Sequence, residues 1–257
     1  MTVQITRTTG IPFLVPSRVP HGSILEYAHI IEDALGLDPE GLIWSFNCLD
    51  VDVNPLDDCT DFTGLTKRFD SPSSADGGSF VVQGGVVCKG FGFDGEEPAI
   101  RQAFDAKEPE GVSQGLAYTA FTAAVDVTPA TALPPVVALG LLESYGYTKY
   151  AGIPILHIGP GMLSQLAAQG AIERDGNTLH TMLGTPVAVS SGYESKTDDK
   201  VDQEQWAYVT GAVVLGRSDV VLQTQLDRTT NDIVVLYERL YSAGIDCVVG
   251  KVKVKVY

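Results

Sequence analysis

Three rhythms of apolar and polar positions divide the chain. Residues 1–20 hold four threonines and three prolines and sustain no period, the composition of an extended arm that must lie on something. From Ser23 to Leu37, apolar residues return at spacings of three and four (Ile24, Ala28, Ile31, Leu35), flanked by Leu25, Tyr27 and Ile30. The spacing predicts a short helix, capped by Ser23 and stopped by Gly36. Between Asp38 and Gly95 the period is lost. Glycine, proline and acidic residues there separate short apolar pieces (LIWSF, FVV, GVVCKGFGF), which predicts a β-rich, turn-rich excursion with a tip at SPSSADGGS, 71–79. Strands so short need a partner sheet or a neighbouring chain.

A helical period resumes over Glu96–Ala124, carried by Ile100, Ala103, Phe104, Val112, Leu116, Ala117, Ala120 and Phe121. Pro98 suits a first turn, whereas Pro109 and Gly111 predict a kink or a break into two helices. Pro134–Tyr145 predicts another helix, with Gly146 as its stop. Residues Ala151–Tyr193 then alternate: strand 153–158, helix 161–169, a turn at Asp175-Gly176, strand 186–190. Beyond the polar tract Glu194–Gln205, the runs WAYVTGAVVLG, DVVLQTQLD and NDIVVLYERLYSAGIDC predict a mostly β carboxyl-terminal part. The last run alternates strictly, with Val252, Val254 and Val256 on one face and Lys251, Lys253 and Lys255 on the other. That lysine row predicts a solvated strand edge.

Composition narrows the classes. The chain has 257 residues, 44% of them apolar, enough for one substantial domain or two small ones. A formal charge of −15 disfavours a sequence-independent grip on phosphates by the whole surface. No apolar span of 18 residues occurs and no basic region leads into an unbroken apolar core at the start, so a soluble chain without a secretory signal is expected, with no membrane partner. The cysteines at 48, 59, 88 and 247 form no C-x-x-C pair. They read as reduced thiols, or else Cys48, Cys59 and Cys88 ligate a metal or include a disulfide that braces a region poor in core.

Catalytic motifs are scarce. Residues Gly90 to Gly95 match G-x-G-x-x-G, but Asp94, Glu96 and Glu97 would confront a phosphate, so the stretch reads as a turn. His157 in ILHIGPG and His180 in NTLHTML have no nucleophile at diagnostic spacing and read as structural, as do Ser190 and Ser191 before Gly192. The adjacent acidic pairs Asp57-Asp58, Glu96-Glu97 and Asp198-Asp199 do not aim two carboxylates at one centre. No catalytic, cofactor-binding or metal-ligating residue is assigned, and the expected cofactor complement is none. A small α/β enzyme using His157 is the alternative from another class. Tyr145, Tyr147 and Tyr150 cluster before the first strand of the alternating segment, where they suit an interface or a core edge.

The alternating segment carries a resemblance. IPILHIG, PGMLSQLAAQ, RDGNTL and then Leu183-Gly184-Thr185-Pro186-Val187 form a strand, helix, polar turn and strand entry. This order is similar to that in major capsid proteins of tailed bacteriophages, those with the Hong Kong 97-type fold, and the Ala- and Gly-rich phrasing resembles actinobacterial siphophage head proteins. The resemblance implies an α+β fold in five parts: an amino-terminal arm and short helix (1–44), an extended β loop (45–95), a spine helix of a peripheral domain (96–130), an axial domain (131–210) and returning β-strands of the peripheral domain (211–257). It implies a non-enzymatic virion protein assembled in the host cytoplasm, forming hexamers or pentamers of an icosahedral head around double-stranded DNA. Implied partners are copies of itself, a second capsid or decoration protein, a separate scaffolding protein and a portal, with weak non-specific contact to packaged DNA. Lys67, Lys89 and Asn231 are the residue types of a covalent isopeptide cross-link. An encapsulin-like nanocompartment shell shares the fold and is the related non-viral reading.

Overall fold

The computed structural model describes residues 22–32, 44–45, 73–74, 76–89, 97–194, 204–227, 232–246 and 249–256. Chain order gives β1 (His29–Glu32), β2 (Trp44–Ser45), β3 (Ser73–Ser74), β4 (Asp76–Lys89), α1 (Glu97–Tyr118), β5 (Val125–Asp126) and α2 (Pro135–Lys149). Then follow β6 (Ile155–Ile158), α3 (Pro160–Ala168), β7 (Ile172–Asp175), β8 (Thr178–Thr181) and β9 (Val187–Val189). Five further strands follow among the described residues: β10 (Glu204–Thr210), β11 (Val213–Arg217), β12 (Val221–Asp227), β13 (Asp232–Ile245) and β14 (Val249–Lys255).

Two five-stranded sheets organise these elements. In the first, β13 pairs antiparallel with β4 over 14 residues, a ribbon of about 45 Å at the usual strand rise. The other edge of β13 takes β12 and β11 end to end, and β1 runs parallel to β11. Helix α1 lies on this sheet, with Phe104, Val112 and Leu116 packed together with Val82, Val235, Tyr237 and Tyr241. The close approach is made by glycines: a Cβ at Gly115 would fall within 2.3–2.6 Å of the Phe80 ring, and one at Gly111 within 2.6 Å of Val82. Across the ribbon Phe80 stacks on Tyr241, ring centres 5.5 Å apart.

The second sheet has the order β5-β14-β10-β6-β9. Helices α2 and α3 cover it through Ala138, Leu139, Leu142, Met162 and Leu166, which meet Leu156, Val187, Val209, Val252 and Val254 in a second core. The hairpin β7–β8 turns on Gly176 at φ +58°, the left-handed position that an Asp-Gly turn supplies.

Several sequence expectations change here. Ser23–Leu37 gives one 3-10 turn, Ile24–Glu26, and then β1; its Ile-Ile pair finds the open edge of β11, and sheet pairing overrides so short a helical period. Pro109 does not divide α1, because Phe104 on one side and Val112 and Leu116 on the other anchor it to the same core. Gly146 does not stop α2, which runs on to Lys149; it admits Val209 and Pro154, whose atoms would lie 2.8–3.0 Å from a Cβ. The ribbon strand β4 is paired within its own chain. The carboxyl-terminal strand β14 is neither an edge nor grouped with β13: it sits between β5 and β10 in the second sheet. Val252, Val254 and Val256 are buried and Lys251 and Lys253 lie 5.1 and 5.4 Å from the Trp206 ring centre, so two of the three lysines cover an aromatic face. The expected tip at 71–79 is mostly strand, since 73–74 form β3 and 76–79 open β4, paired with the far end of β13; residues 71, 72 and 75 lie outside the described residues, as do Cys48, Cys59, Lys67, Gly90 to Glu96, Asp57-Asp58, Asp198-Asp199, Asn231 and Cys247.

Candidate assembly surfaces

Three buried polar centres tie the sheets and helices together, and two apolar surfaces are left outside them. His157 on β6 is fully buried. Its Nε2 lies 2.9 Å from Thr210 Oγ1 and its Nδ1 3.1 Å from the Tyr193 hydroxyl. The Thr210 hydroxyl donates to the Gly211 carbonyl, so Nε2–H donates to Thr210 and Nδ1 accepts from Tyr193. Phe121 stands edge-on to the imidazole at 4.9 Å. Desolvation pulls the His157 pKa down to about 3 and raises that of Tyr193. A neutral ring with both nitrogens engaged and no solvent access has nothing to offer a substrate. Gly192 explains why Tyr193 reaches this place: a Cβ there would lie 2.4 Å from the Glu110 carbonyl of α1.

Glu143, on the inner face of α2, is a second centre. Its Oε1 accepts from Thr181 Oγ1 at 2.5 Å and Thr185 Oγ1 at 2.7 Å. Thr181 Oγ1 in turn accepts from the Leu183 and Thr185 amides, and Gly184 takes φ +82°. Tyr147 bonds Thr185 from the end of α2 at 3.0 Å. The turn between β8 and β9 is therefore held rigidly, and it presents Met182 and Leu183 to solvent at 67% and 69% exposure. Ile153 and Tyr147 are exposed as well. Of the three clustered tyrosines, only Tyr147 is exposed; Tyr150 is buried with its hydroxyl 3.2 Å from Asp246, and Tyr145 packs into the second core over Gly250. His180, on β8, bonds the Thr178 hydroxyl at 3.0 Å.

The third centre joins α1 to the ribbon: buried Glu108 accepts from Arg239 at 2.8 Å and from the Tyr241 hydroxyl at 2.9 Å. Beside it, between α1 and β4, runs an apolar groove of about 700 Å³ lined by Val82, Gly84, Val86, Ile100, Ala103 and Phe104. Neither Glu143 nor Glu108 stood out in sequence; each is a carboxylate on the inner face of a helix, a position that only the packing reveals. Among the described residues no group of three or more His, Cys, Asp or Glu is placed to hold a metal, and no helix is long and apolar enough to cross a membrane.

No family model matches the sequence, and no curated protein does. Solved structures do. The capsid of a native GTA particle superposes with a TM-score of 0.56 over 98% of this chain and 95% of its own, at 9% identity. A structure from Gordonia phage Cozz gives 0.53 over 95% of each chain at 12% identity. The holo-SrpI encapsulin complex of Synechococcus elongatus PCC 7942 gives 0.50 over 99% and 93%, at 10% identity. The fold is thus the α+β fold of shell-forming proteins, the Hong Kong 97-type fold that the sequence resemblance implied.

Proposed function

We propose that this chain is a capsid subunit of tailed-phage type, a non-enzymatic virion protein that assembles with copies of itself into hexameric and pentameric capsomers of an icosahedral head. The observation that carries the proposal is the near end-to-end likeness to the capsid of the GTA particle, 98% of this chain on 95% of the other. The layout supports it: a long, thin β4–β13 ribbon and a rigid apolar turn at Met182 and Leu183 expose apolar surface that a second molecule can cover. Buried His157 argues against the enzyme alternative. The head would enclose double-stranded DNA, and a wall that is not strongly basic lets the packaged DNA slide. Scaffolding protein, portal and a decoration protein are its further partners on this reading, and assembly takes place in the host cytoplasm. Negative-stain microscopy of the expressed chain is the test: closed shells or capsomer rings are expected, and a monodisperse small species overturns the reading.

The encapsulin likeness favours one second reading, a nanocompartment shell around protein cargo. Purified particles decide between the two. Nuclease-protected DNA is expected of a head, and a co-purifying enzyme of a compartment.

A further inference from the structure

Strand β12 is one of three open edges of the first sheet among the described residues, with β1 and β4. Among the described residues it pairs only with β13, and every residue from Val221 to Leu226 is exposed, Leu222 at 39% and Leu226 at 52%. Free edges of this kind are templates for another strand, and proteins normally guard them with lysine, proline or a bulge. Val221–Leu226 reads VLQTQL and carries none of these guards.

The sequence of this edge is its own mirror image. Leu222-Gln223-Thr224-Gln225-Leu226 reads the same in both directions. An antiparallel pairing with an identical strand, centred on Thr224, sets Leu222 opposite Leu226, Gln223 opposite Gln225 and Thr224 opposite Thr224. Thr–Thr and apolar pairs are favourable across antiparallel strands. Leu222, Thr224 and Leu226 also lie directly across β13 from Tyr237, Val235 and Ile233. They therefore share the sheet face that α1 covers, and a second copy would extend this apolar row beyond the helix. Charge selects the same occupant. In a chain of net charge −15, like copies repel, and an uncharged edge is where two of them can approach.

We infer that β12 is a self-pairing edge: two copies of the chain join through antiparallel β12–β12 hydrogen bonding about a twofold axis at Thr224. Such a contact closes on itself and joins two copies only. On the shell reading it joins subunits of neighbouring rings, yet it goes beyond that reading and does not depend on it.

The test is a register-specific cross-link in the full chain under mild oxidation, with linked peptides identified by mass spectrometry. Facing residues of an antiparallel pair have Cα atoms about 4.5–5.5 Å apart, within disulfide reach. Thr224→Cys is expected to give a 224–224 disulfide dimer at least about tenfold more abundant than the self-linked dimer of Leu222→Cys, whose facing residue is Leu226. The double variant Leu222→Cys with Leu226→Cys is expected to link 222 to 226 between copies. Shells or rings that form without a 224–224 link overturn the inference and leave the proposed function standing. A 224–224 link in a species that never exceeds a dimer supports the inference and overturns the shell reading. Protection of the thiol of Thr224→Cys from alkylation without any link means another segment covers the edge, which also overturns the inference.

Discussion

His157 shows at the scale of one side chain how burial becomes pH dependence. In the unfolded chain its pKa is the ordinary 6.5, and in the fold desolvation holds it near 3. The unfolded state therefore binds the proton first as pH falls, so the His157 contribution is complete above about pH 6.5 and is lost as pH drops toward 3. Each pH unit inside that window removes at most about 1.4 kcal/mol. Guanidinium unfolding at pH 7 and pH 4.5 is expected to show a fall in stability that His157→Gln removes in part; equal slopes for the two proteins would contradict a neutral, buried imidazole. The Glu143 centre makes a second residue-scale prediction. Glu143→Leu leaves the Thr181 and Thr185 hydroxyls without their acceptor, at a cost of about 2–4 kcal/mol. Glu143→Gln keeps an acceptor oxygen and costs less, a ranking that thermal unfolding can read. His157 was visible in sequence as a histidine inside an apolar strand, hence as structural. Its partners Tyr193 and Thr210 were not, because they reach it from 36 and 53 residues away.

At the scale of elements, the helix α1 and the β4–β13 ribbon are matched surfaces. Gly111 and Gly115, one turn apart, let Val82 and Phe80 press against the helix backbone. Alanine in a helix interior is normally better than glycine by about 1 kcal/mol. Gly115→Ala is expected to reverse that sign, since its Cβ would overlap the Phe80 ring, and to cost about 1–3 kcal/mol as overpacking does. Chemical denaturation of the two proteins under the same buffer checks the sign. Helix periods told true where a helix packs along its whole length, as α1 and α3 do. They misled where an edge was on offer: Ile30 and Ile31 are as good on a strand as on a helix, and only the free side of β11 decided between them. The terminal strand misled in the opposite way, since its alternation was plain but its place in the second sheet, under Trp206, depends on β10.

At the scale of the whole molecule, charge and apolar contact oppose each other. The chain carries −15 overall, yet within Ala151–Tyr193 only Glu173, Arg174 and Asp175 are charged. That segment contains the clamped turn with Met182 and Leu183, and residues 221–226 of the β12 edge are uncharged too. The helices α1, α2 and α3 and the β character of the carboxyl-terminal part were legible in sequence because their periods are sustained; the surfaces that copies would share were not, because exposure is a property of the folded sheet. Repulsion between copies acts over a Debye length of about 10 Å at 0.1 M salt and about 3 Å at 1 M, whereas apolar burial is not weakened by such screening. Association through these surfaces should then be faster and more complete as sodium chloride rises from low to molar concentration. Light scattering of the purified chain across that range measures it. Met182→Glu adds one like charge to every copy at the exposed turn, and is expected to raise the salt needed for half-maximal assembly while leaving the unfolding midpoint of the unassembled chain unchanged. Assembly that instead dissolves in salt would mean that ion pairs hold the copies together, and the uncharged turn and edge would not be the contacts that matter.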